Sequence, residues 1–88
     1  MKDKLQKILK DTLTRDILTF FYQNQASIDS ASGISAWVHY DREEVQTALD
    51  ELVRFDVLKK DSTGSAKGYS YTRDAKIMKI VNELMSDA

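Results

Sequence analysis

The chain contains no cysteine and only one histidine, His39, and these two scarcities remove most of the site chemistry open to a small protein. Without thiols there is neither a disulfide framework nor a thiolate metal site, and one imidazole does not make a zinc site. The serines fall in segments read as loops and caps, so no nucleophile is paired with a base. Glycine is scarce too: Gly64 and Gly68 mark a turn and lack the spacing of a phosphate-binding loop. No apolar run approaches the ~20 residues that span a bilayer; the longest, Ile17 to Tyr22, is broken by Thr19. The charged start, Met1 to Leu5, leads into no apolar core of a secretory signal. These absences predict a soluble, cytoplasmic protein that is not an enzyme and carries no metal and no cofactor.

What is present bounds the rest. Eighty-eight residues, 1–88, make one domain with one core. A chain this short buries only roughly 60–65% of its unfolded surface, so association is the remaining route to extra stability. Net charge is −1, but the charge is segregated. Residues 1–16 balance to +2, residues 17–40 to −1, residues 41–56 to −4, residues 57–73 to +3 and residues 74–88 to −1.

Apolar periodicity places the elements. Leu5, Ile8, Leu9, Leu13, Ile17, Phe20 and Phe21 recur at helical spacing, as one long helix or as two joined near Asp11-Thr12, with Thr14 capping the second. Ile28 reads as a brief strand. Ser30 caps a short helix whose apolar positions are Ala31, Ile34, Trp37 and Val38. Trp37 reads as core or partly covered core, with a ligand or partner platform as the alternative. The next helix is the best marked. Asp41 and Glu44 fit an Asp-initiated capping box, and Val45, Ala48, Leu49, Leu52 and Val53 form one stripe. After Asp56, expected in a left-handed or bridging conformation, Val57–Lys60 and Gly68–Thr72 read as a hairpin around the loop 62–67. Tyr69 and Tyr71 pack on the domain body or else stack bases, packing being the preferred reading. A last helix begins near Arg73.

The stretch from Ser30 to Thr72 carries a resemblance. "SASGISAWVHYDREEVQTALDELVRFDVLKK" resembles the two-helix unit of winged helix-turn-helix proteins, and "VLKKDSTGSAKGYSYT" resembles their wing. The implied fold is mainly α (α+β): a three-helix core, a two- to three-stranded β wing, and extra N- and C-terminal helices. His39 and Asp56 stand where such proteins often have glycine, and both residue types tolerate positive φ. The resemblance to small prokaryotic transcription regulators implies double-stranded DNA as partner, with helix 42–54 in the major groove. Arg42, Gln46 and Thr47 would then face bases, Arg42 reading guanine and Gln46 adenine, while Lys59, Lys60, Lys67 and Arg73 of the basic wing meet phosphates. The bland alternatives are an ordinary solvated helix face and edge-strand lysines that keep the sheet from aggregating.

The charges argue back. At an effective dielectric of ~40 and ~6 Å, one carboxylate facing a phosphate costs about 1.4 kcal/mol before screening. Glu43, Glu44, Asp50 and Glu51 on the same helix therefore offset much of what the wing lysines contribute. The alternative function is a protein-interaction module that binds no DNA and docks its acidic helix on a basic protein partner. The terminal helices are richer in apolar residues than the core should need. That predicts a homodimer through Leu5, Ile8, Ile77, Ile80, Val81 and Leu84, the alternative being that both helices close a monomeric core.

Overall fold

Leu5, Leu9, Leu13, Ile17 and Phe21 recur every fourth residue, enough for one long helix, yet the chain breaks that run. The computed structural model describes residues 2–61 and 68–86. In it α1 spans Lys2–Ile8 and α2 spans Thr12–Gln23. The end of α1 tightens, with the amides of Lys10 and Asp11 donating to the carbonyls of Lys7 and Ile8, three residues back. Asp11 then caps α2: its carboxylate accepts from the Thr14 amide at 3.0 Å and from the Thr14 hydroxyl at 2.8 Å. Thr14, expected as the cap, is instead buried inside the first turn. A carboxylate three residues earlier reaches the free amides better than a hydroxyl already within the helix.

β1 is the two residues Ile28–Asp29, and Ser30 caps α3, Ala31–Val38, by accepting from the Gly33 amide. α4 covers Arg42–Arg54 and α5 covers Ala75–Ser86, while β2, Leu58–Asp61, and β3, Gly68–Tyr71, form the hairpin. The sheet is antiparallel in the order β1-β3-β2. No helix among the described residues is long and apolar enough to cross a membrane.

α4 is the axle. Val45, Ala48, Leu49 and Leu52 bury against α2 and α3, as the stripe predicts, with Val53 half-buried at its edge. The capping box at its start is not made: Asp41 stands at the cap position, yet its side chain forms no capping bond. The carboxylates of Glu43 and Glu44 beside the positive helix end do without it. The exit from α4 is tightly specified. The Asp56 amide donates to the Val53 carbonyl at 2.9 Å and the Val57 amide to the Leu52 carbonyl at 3.0 Å, with Asp56 left-handed at φ 63°. This is a Schellman closure, sealed by the buried pair Leu52 and Val57, and it aims the chain into β2. His39 makes the matching left-handed turn, φ 62°, between α3 and α4.

Two expectations about burial change. Trp37 is 55% exposed rather than core, its ring lying 4.8 Å from that of Phe20 and tilted by 57°. α3 is short, and Ala31 and Ile34 already fill its inward face, so Trp37 packs at the rim. The terminal helices close over the chain's own core. Of the six residues expected at a dimer contact, Leu5 and Val81 are fully buried, Ile77 and Leu84 nearly so, and Ile8 and Ile80 keep partial exposure. Lys2 also bridges α1 to Glu83 of α5 at 3.0 Å.

Candidate nucleic-acid interface

The side of α4 away from its buried stripe presents Arg42, Glu43, Glu44, Thr47, Asp50 and Arg54 to solvent. Arg42 stands in the first turn, fully available at the helix start. The Thr47 hydroxyl donates to the Glu43 carbonyl at 3.1 Å, which leaves its lone pairs free to accept. Arg54 is drawn toward Glu51 on the same helix, at 3.4 Å.

Gln46 differs from its neighbours. It is half-buried, and its amide nitrogen donates to Asp50 Oδ1 at 3.0 Å and to the Tyr69 hydroxyl at 2.5 Å. The Tyr69 hydroxyl lies 3.5 Å from the same Asp50 oxygen, as its donor. Paired reading of adenine needs that amide as donor, and here it is engaged within the protein. Gln46 therefore acts as a strut between α4 and the wing. The link reaches across the fold to β3, so a linear reading of the helix face had no signal for it.

The wing charges divide. Lys60 sits opposite Tyr69 and Lys59 opposite Ser70, and adjacent strand residues point to opposite faces. Lys60 shares the Tyr69 face, with its ammonium 6.0 Å from the ring centroid, and so lies beside the Gln46–Asp50 end of the α4 surface. Lys59 projects from the other face. Arg73 is exposed but follows β3 at the base of the hairpin, at the opposite end from the tip. Lys67 lies outside the described residues. The structure thus gathers Arg42, Thr47 and Lys60 on or beside α4 and separates Lys59 and Arg73 from them.

Tyr69 and Tyr71 both pack inward. Burial pushes the Tyr71 phenol up to about 12, and the neighbouring Tyr22 phenol adds to the effect. Gly68 has a steric role: a Cβ there would lie 2.7 Å from the Ile28 side chain of β1, so glycine lets the two strands close. Among the described residues no group of three or more histidine, aspartate or glutamate side chains is placed to hold a metal ion.

No family model matches the chain, and no curated protein matches it in sequence. Solved structures do. Reduced HlyU from Vibrio cholerae matches with a TM-score of 0.71 at 13% identity, over 93% of this chain and 82% of that one. A possible transcriptional regulator from Methanosarcina mazei matches with a TM-score of 0.75, also at 13% identity, over 97% of this chain and 76% of that one. Identity this low speaks to backbone architecture alone. On that architecture, with its helix pair, tight left-handed turns and three-stranded wing, the chain has the winged helix-turn-helix fold.

Proposed function

We propose that this chain is a DNA-binding transcription regulator that sets α4 in the major groove, with Arg42 and Thr47 toward the bases and Lys60 on a flanking phosphate. The observation that carries the reading is the lock between helix and wing. Gln46 and Asp50 tie Tyr69 of β3 to α4, and Lys60, paired opposite Tyr69 on β2, lies over its ring, so helix and wing offer a base-reading end and a phosphate-binding cation on one surface. The relative from Methanosarcina mazei, itself described as a possible transcriptional regulator, supports the same direction. Lys59, Lys67 and Arg73 supplement phosphate binding from the remaining parts of the wing. Two copies act together in this reading, with Ile80 among the α5 positions that keep surface for the contact.

Fluorescence anisotropy with a random duplex at ~10 mM salt tests it; absence of binding there ends the idea, since phosphate neutralisation is strongest at low salt. When binding is found, Lys60→Gln lowers affinity for all sequences alike and flattens the salt slope by about 1, whereas Arg42→Ala narrows the gap between preferred and random duplex.

One feature favours a second reading. Glu43, Glu44 and Asp50 are all exposed on the helix that would enter the groove. In that reading α4 docks on a basic protein surface without touching DNA. Recovery of a protein partner from nuclease-treated extract, lost on Glu43→Lys, supports it; recovery of nucleic acid alone counts against it.

A further inference from the structure

A groove of about 550 Å³ runs between the α1–α2 turn and the side of α4 that faces it. Its volume is within the range of small-molecule sites. Ile8, Leu13 and Ala48 give it an apolar floor, and the partly exposed Tyr40 ring stands on its wall. The charged lining is Asp11, Glu44 and Glu51 against Lys7 alone, so the groove is strongly electronegative. Asp11 is engaged in capping α2, and Glu51 is ion-paired with the exposed Arg54 at 3.4 Å, a solvated contact that contributes little and that a second cation can replace. Glu44 and Glu51 sit seven residues apart on α4, two turns along one face, which separates them by a rise of about 10 Å. A hydrocarbon floor with two α4 carboxylates along it and an aromatic ring in the same lining is complementary to a particular shape of ligand. That shape is a chain of methylenes or a flat ring system with a positive charge at both ends.

We propose that this groove binds an organic dication, one ammonium group between Glu44 and the Tyr40 ring, the other at Glu51, and the apolar spacer on Ile8, Leu13 and Ala48. The aromatic face attracts the first cation and the carboxylates hold both. A monocation satisfies one end only, and a short diamine does not span the rise. Glu44 and Glu51 belong to the helix assigned to DNA, so a bound dication neutralises two of the charges that repel phosphate there. This consequence rests on the proposed DNA-binding function: the ligand raises affinity for duplex, and by linkage duplex raises affinity for the ligand by the same factor.

Isothermal titration calorimetry of the full chain without DNA tests the site, using octamethylenediamine as probe with octylamine and ethylenediamine as controls. The expected result is one-to-one binding of octamethylenediamine at least tenfold tighter than either control. Glu44→Gln with Glu51→Gln should weaken it tenfold or more in a chain that still unfolds in one cooperative transition. Asp3→Asn with Asp16→Asn removes the same charge elsewhere on the surface and should leave binding as it was. Equal affinity for all three amines, or equal loss in both double variants, overturns the site and leaves only diffuse attraction to an acidic protein. A failure to bind DNA overturns the regulator reading, while selective amine binding still upholds the groove. An amine that binds selectively without tightening DNA binding overturns the coupling.

Discussion

Tyr71 carries a pH dependence that can be given a sign. Its phenol titrates near 12 in the folded chain against an ordinary 10.0, because burial disfavours the phenolate and Tyr22 adds to that. Below pH 10 both folded and unfolded chains hold the proton, and the contribution to stability is complete. Between pH 10 and 12 the unfolded chain binds fewer protons, so stability falls with rising pH through that window. Urea unfolding at pH 8, 10 and 11.5 should show this decline, and Tyr71→Phe should remove the part due to this group. An identical slope in the variant would show that other groups cause it. A second residue-scale contrast separates two aspartates that the sequence presents alike. Asp11 makes two bonds to Thr14 whereas Asp41 makes none from its side chain. Asp11→Ala should cost about 1–2 kcal/mol, and Asp41→Ala about 0.5 kcal/mol from its place near the helix dipole. Equal losses in denaturant melts would contradict the assignment of the caps.

Among the elements, the exit from α4 has the most influence on what the wing does. Asp56 in its left-handed conformation turns the chain from helix to strand, and without that turn Lys60 does not come beside α4. A β-branched residue there meets a left-handed penalty of about 1–2 kcal/mol, so Asp56→Val should lower stability by that amount. Asp56→Gly should hold stability or raise it by up to about 1 kcal/mol, the relief of strain exceeding the added entropy of the unfolded chain. A stable Val variant would mean that the turn has another solution. The left-handed turns at His39 and Asp56 were readable from residue type and position. So was the buried seam of α4, since Val45, Ala48, Leu49 and Leu52 obey one period. Apolar spacing alone does not divide residues 2–23 into two helices, because Leu9 and Leu13 fit either arrangement. Only the contact of Asp11 with Thr14 shows why the chain stops and restarts.

For the whole molecule, the question is what remains on the surface once the core is closed. Four of the six terminal-helix residues expected at a dimer contact lie inside the chain's own core. Val81→Asp should therefore unfold the protein, seen as loss of the thermal transition, regardless of association. Ile80→Lys, at a half-buried position, should leave the fold intact, and sedimentation equilibrium then reads the proposed dimer directly. A dimer that survives this substitution uses a different surface.

The sequence by itself determined the backbone architecture, apart from the break between α1 and α2 and the caps expected at Thr14 and Asp41. Apolar period, cap residues and two tolerant left-handed positions are local properties, and each element is written in its own ten or so residues. Tertiary structure decided which side chains are free to act. The Gln46 amide is engaged by Tyr69, twenty-three residues away, and Lys59 parts from Lys60 because strand neighbours face opposite ways. Trp37 came to lie at the rim, and the groove beside Tyr40 formed from α1, α2 and α4 together. Surface and availability depend on contacts between distant segments, and no local pattern encodes them.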